Sequence, residues 1–167
     1  MIKQVMKSFA LASMVLGSAV LYAQDAPITA VAEMNPTAGN QVQGEIKFVQ
    51  KKGYILVIAD IKGLTPGAHP FHVHAVGDCS SKDGSSAGGH FKPTQMQAPV
   101  VDGKTVDLAD LGKLTPNSQG SVHYTHHDKY LQLTGVDSII GKGVVIHASD
   151  SPARMACGVI QQLQTNQ

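Results

Sequence analysis

The chain carries 167 residues, of which 43% are hydrophobic and 15% charged, with a formal net charge of +1. So even a balance excludes the basic footprint of a nucleic-acid binder, and the length suits one domain able to bury its own core.

At the N-terminus, Lys3 and Lys7 precede an apolar run from about Phe9 to Tyr22, followed by Ala23 and a polar stretch. This is the layout of a secretory signal peptide, and the run is short for a membrane span. Residues 1–23 are therefore expected to be removed, leaving 24–167 as one domain in the periplasm or outside the cell, with no membrane attachment. No linker, internal repeat or low-complexity run divides the remainder. Export into an oxidising compartment predicts a disulfide between the chain's two cysteines, Cys79 and Cys157. The loop it closes is long, and the chain-entropy model assigns it up to ~4.5 kcal/mol, less any native strain.

From there the signals are those of strands. "QVQGEIKFVQ", "YILVIADI", "HPFHVHAV", "SVHYTHH" and "GKGVVIHA" alternate or are β-branched, and glycine-bearing turns separate them. Helical spacing with caps is absent after the leader. Short strands at fairly regular intervals predict an all-β Greek-key barrel or sandwich of about eight antiparallel strands. The run "GDCSSKDGSSAGG", Gly77 to Gly89, is then a long surface loop of the kind that carries function. Pro70 lacks a backbone donor and belongs at an edge or a strand start.

Histidine is concentrated in "GAHPFHVHAVGDC". Residues two apart on a strand project to the same side, so His72 and His74 form a chelating pair while Val73 points the other way. Imidazole suits copper, zinc, iron and nickel, so the pair alone does not name a metal. Farther along, His90 closes the glycine loop in "AGGHFKP", His147 ends "GVVIH", and "ARMACGVI" follows.

In that order and spacing, "FHVH", "GDC", "AGGHFKP", "DLADLG", "SIIGKGVVIHASD" and "RMACGVI" resemble the copper/zinc superoxide dismutases, especially the secreted bacterial type. The resemblance runs from about Gln43 to Ile160. It implies that His72, His74, His90 and His147 are copper ligands, with His90 at the place of the imidazolate that bridges copper to zinc. It also implies that Arg154 guides the superoxide anion, that Cys79 and Cys157 are the family's disulfide pair, and that His69 is structural. The chemistry agrees: dismutation needs a metal with two accessible oxidation states, which copper has and zinc lacks, and a guanidinium is an always-charged anion anchor.

Two departures stand out. At the zinc positions His90 and Asp110 survive, but the other two read Ala98 and Asp107, so zinc binding is expected to be weak or absent. Downstream, "HASDSPARMACGVI" passes from His147 to Arg154 in seven positions, where the family inserts a long charged loop. Together these resemble the copper-only branch. Without zinc, His90 needs a new partner on its outer ring nitrogen, and Asp110 or Asp107 is the candidate; either is alternatively a residual zinc ligand.

His123, His126 and His127 have no part in the implied site. Strand alternation gives His123 and His127 one face and His126 the other, with Tyr124; they read as exposed polar residues or as an accessory metal-loading patch. The expected function is copper-dependent superoxide dismutation, with superoxide as the small-molecule substrate. The alternative is a periplasmic copper-buffering protein with little turnover.

Overall fold

The computed structural model describes residues 27–164, and the leader expected over residues 1–23 lies outside them. In chain order the strands are β1 (Thr29–Pro36), β2 (Gln43–Lys51), β3 (Tyr54–Lys62), β4 (His69–His74), β5 (Val100–Val101), β6 (Lys104–Thr105), β7 (Asp110–Leu114), β8 (Val122–Asp128), β9 (Gly143–His147) and β10 (Arg154–Gln162). Eight of them form one antiparallel sheet in the order β7-β4-β9-β10-β1-β2-β3-β8, and β5 with β6 makes a separate hairpin. The expected all-β barrel of about eight strands is the fold observed. Among the described residues the sole helical element is a 3-10 turn, Ser85–Ala87.

Alternation in sequence becomes alternation in burial. Ile46 and Phe48 on β2, and Ile55, Val57, Ala59 and Ile61 on β3, turn inward, while Glu45, Lys47 and Asp60 face out. Full burial of such side chains contributes about 1.5–3 kcal/mol each, an upper figure because denatured chains already bury some apolar surface. On β4 the odd positions His69, Phe71 and Val73 enter this core. β9 is buried along its whole length, because Val145 packs under the glycine-rich loop against Ala87 and Cys157 while Val144 and Ile146 join the main core.

The sheet curls until β7 and β8 approach without pairing. A side chain spans the gap: Tyr124 Oη donates to the Leu111 carbonyl at 2.8 Å, and its ring meets Phe71 edge-on at 5.4 Å. Gly112 (φ +101°) leaves the room required, since a Cβ there would sit 2.4 Å from the tyrosine oxygen. Pro70 is the second residue of β4, ahead of the ladder with β9, which begins at Phe71, so its missing donor costs no bond there.

Two irregularities shape the end of the barrel that carries the histidines. The β4–β7 register shifts between Pro70↔Lys113 and His72↔Asp110, which brings Asp110 opposite His72. The β9–β10 register shifts between Arg154↔His147 and Ala156↔Ile146, leaving Met155 unpaired and re-aiming the chain at Arg154.

Candidate metal centre

His72 and His74 come from β4, and His147 is the last residue of the neighbouring strand β9. His90 is fixed beside them by backbone bonds on both flanks, Ala75 N–H to the Gly89 carbonyl and Phe91 N–H to the Val73 carbonyl, each 2.9 Å. One ring nitrogen from each of the four lies within 4.8 Å of the others. No other set of three or more His, Cys, Asp or Glu among the described residues converges in this way. His72 stacks on His90 with centroids 4.1 Å apart.

The outward nitrogens decide what the inward ones can do. His74 Nδ1 faces the Gly88 carbonyl at 2.8 Å and His147 Nδ1 faces the Pro152 carbonyl at 3.0 Å. A carbonyl only accepts, so each Nδ1 carries the proton and each Nε2 presents a lone pair. Those two lone pairs point at one another across 3.3 Å. His72 Nδ1 is buried with no hydrogen-bond partner at all. Facing lone pairs and an orphaned ring nitrogen are costly unless a cation sits among them.

A proton is a poor choice for that cation. Burial, reinforced by the nearby His90, pushes His72 down to about 4. Burial likewise takes His74 down to about 4 against the opposing Gly88 hydrogen bond, and it lowers His147. Arg154 adds to the effect on His74 and His147. Neutral imidazoles converging on one point suit a copper ion, as they suit other imidazole-seeking metals.

His90 is held from outside by a carboxylate, its Nδ1 lying 2.6 Å from Asp107 Oδ2. Asp107 is itself fixed by the Ala109 N–H on Oδ1 at 3.0 Å. Burial pushes the Asp107 carboxyl up, but the His90 and Ala109 hydrogen bonds outweigh it and hold the group below its ordinary value. Asp110 stands farther off, with Oδ1 3.8 Å from His72 Nε2 and accepting the Gly112 N–H at 2.8 Å. The two candidate aspartates thus divide: Asp107 meets His90, and Asp110 lies nearest His72. Ala98 offers no ligand and lines a cavity beside His90 and Asp107.

Arg154 opens β10, and its guanidinium donates from Nη1 to the Gly84 carbonyl at 2.5 Å and from Nη2 to the Gly88 carbonyl at 2.7 Å. Gly88 therefore serves both Arg154 and His74. Its backbone, φ +73°, is one that side-chain-bearing residues rarely adopt. The expected disulfide is present, joining Cys79 in the loop to Cys157 on β10 with Cα atoms 5.7 Å apart. The short connection after His147 closes with Ala148 N–H on the Ala153 carbonyl at 2.8 Å, and so delivers the Pro152 carbonyl to His147.

The other histidines stand apart. His69 is fully buried between the His147 and Thr65 carbonyls at 2.9 and 2.8 Å. His123 pairs with Asp60 at 2.6 Å on the outer face, His127 packs on Tyr54, and half-buried His126 lies 3.7 Å from Asp128. Sequence reasoning missed the carbonyls of Gly84, Gly88 and Pro152, and Thr37, whose hydroxyl donates to the Arg154 carbonyl at 2.6 Å.

Residues 42–160 match the family model described as copper/zinc superoxide dismutase. Among curated proteins the chain is 34% identical over 151 residues to an extracellular superoxide dismutase [Cu-Zn] of Brugia pahangi, covering 79% of this chain and 75% of that one. It is 33% identical over 143 residues to a superoxide dismutase [Cu-Zn] of Onchocerca volvulus, covering 73% and 90% respectively.

Proposed function

The chain belongs to the copper/zinc superoxide dismutase family, and from that premise we propose that it is a copper-dependent superoxide dismutase whose metal is held by His72, His74, His90 and His147. The observation that carries the reading is the convergence of four imidazoles with a buried His72 Nδ1 that has no other partner. Copper held by these four residues would supply a Cu(I)/Cu(II) couple, the electron exchange needed to turn two superoxide anions and two protons into dioxygen and hydrogen peroxide.

The chain's own residues do the rest. Gly88, Pro152 and Asp107 hold the protons of three rings on their outward nitrogens, which keeps the inward ones free. With His90 Nδ1 committed to Asp107, the proton this ring can take up or release is the one at Nε2. Arg154 spends two donors on the loop and has others left for a small anion, and its fixed charge attracts superoxide before contact.

The finer assignment is to the copper-only branch, with a secreted bacterial habit. Supporting it are Ala98 in place of a ligand, Asp107 engaged by His90, and the short connection from His147 to Arg154. Asp107 here orients His90, and zinc binds weakly if at all. Residues 1–23 act as an export signal and 24–167 as the working domain, delivered to the periplasm or the exterior; the disulfide and the name of the extracellular Brugia pahangi relative support secretion.

Superoxide removal by the copper-loaded protein is the direct test. Turnover well above that of the metal-free chain is expected. A stably copper-loaded protein without turnover would replace this reading with copper buffering.

A further inference from the structure

We propose that the cavity beside His90 is a binding site for a neutral phenol of one or two rings, its hydroxyl donating to Asp107. The cavity measures about 640 Å³, within the roughly 300–1,000 Å³ of small-molecule sites. Its apolar lining is Phe91, Pro93, Met96, Ala98, Val106 and Leu108, and exposed Thr105 and the hydrogen-bonded His90–Asp107 pair are among its polar groups. Phe91 and Leu108 are buried, whereas His90 and Asp107 keep about a third or more of their side-chain surface accessible, 35% and 42%. An apolar chamber therefore ends at a reachable carboxylate.

The donor set selects the ligand class. A metal ion is disfavoured, because no set of three or more metal-ligating groups converges there among the described residues. A carboxylate has room for further hydrogen bonds, about four lone-pair sites in all, but it offers no donor. The matching group is thus a hydrogen-bond donor, and the apolar lining favours a neutral one over an ammonium, whose desolvation it would not repay. The walls favour a flat ring: Met96 supplies a thioether, and buried Phe91 an aromatic side chain. Lys92 also lines the cavity but is exposed, so its solvated charge offers an anion little, and the apolar walls disfavour taking one in. Where Ala98 stands a large side chain would fill the chamber. Occupancy adds a third donor to Asp107, beside His90 Nδ1 and the Ala109 N–H, so it is communicated to His90 through the 2.6 Å contact.

The probe is 2-naphthol, titrated into the metal-free full-length protein and followed by its own fluorescence, which no tryptophan obscures. Saturable binding is expected, with His90 ring resonances moving in the NMR spectrum as the site fills. Ala98→Phe should weaken binding tenfold or more. In the parent, 2-methoxynaphthalene, which lacks the donor, and 2-naphthoate, which carries a charge, should each bind at least fivefold more weakly. Absence of saturable binding, unmoved His90 resonances, or unchanged affinity in Ala98→Phe would overturn the site. Naphthoate binding as tightly as naphthol would overturn the phenol assignment in favour of an acid held at Lys92. None of these readouts depends on copper or turnover, so the proposal stands or falls apart from the dismutase reading.

Discussion

Arg154 and His74 share the Gly88 carbonyl, so the proposed anion guide and a proposed ligand ring are positioned by one atom of the loop. Removing the guanidinium takes away charge near the metal while leaving the His74 hydrogen bond in place. Arg154→Ala should cut superoxide dismutation by roughly tenfold or more, at least ~1.4 kcal/mol in the barrier, with the copper spectrum close to the parent's. Arg154→Lys keeps the charge but not the fork, and should recover part of the loss. Unchanged turnover in Arg154→Ala would remove the guide role. Asp107 is tested by affinity rather than rate: Asp107→Ala frees His90 Nδ1, and losing such an orienting partner typically costs about 10–100-fold in metal affinity. Competition with a chelator measures it, and equal affinity would show that Asp107 does not orient the ring. The pairing of His72 with His74 was legible because H-x-H on a strand has one geometric consequence. The acceptors behind the rings were not, since the carbonyls of Gly84, Gly88 and Pro152 are backbone groups that leave no residue-type signal. Of two candidate partners for His90, only the folded register could choose Asp107 over Asp110.

The loops around the site are tied down by a few specific bonds. Asp137, itself buried, accepts the Thr94 N–H at 2.7 Å, the Thr94 hydroxyl at 3.0 Å and the Gln95 N–H at 2.9 Å, anchoring the segment that follows His90. Those bonds, the backbone pair first, hold the Asp137 carboxyl below its ordinary value of 3.8. A depressed folded-state value means stability that is present above the unfolded pKa and is lost as pH falls through the folded one. Asp137→Asn should therefore melt below the parent at neutral pH, and the gap should narrow as pH drops beneath about 4. A gap independent of pH would assign the effect to lost packing instead. Replacing Cys157 with serine acts on the other loop; about 2–5 kcal/mol of stability should disappear, measured by denaturant unfolding. At this scale β2, β3, β4, β8 and β9 announce themselves by alternation or by β-branched runs. β1 is rich in alanine, β7 contains Gly112 at a register shift, and β10 is buried on both faces for much of its length, so none of these three shows a clear period of two.

Across the molecule, the site joins parts of the chain that are distant in sequence. β4 gives two of the four converging histidines, the loop end gives a third and β9 the fourth, while the disulfide and Arg154 lock the loop to β10. A metal bound by all of them favours the folded state by mass action, because no such convergence exists in the unfolded chain. At free copper about a hundredfold above the dissociation constant, the gain is about 2.7 kcal/mol. Copper should accordingly raise the melting temperature of the metal-free protein by several degrees, and His147→Ala should abolish the rise. Zinc separates the two family readings. A chain with an intact second site would take up one copper and one zinc and gain stability from each. With Ala98 contributing no ligand and Asp107 held by His90, protein loaded with both metals should keep about one copper and little zinc after mild chelation. Elemental analysis after dialysis decides the matter. Stoichiometric zinc surviving that treatment would mean that Asp107 leaves His90 to become a ligand, and the copper-only assignment would fall while the four-histidine site remained.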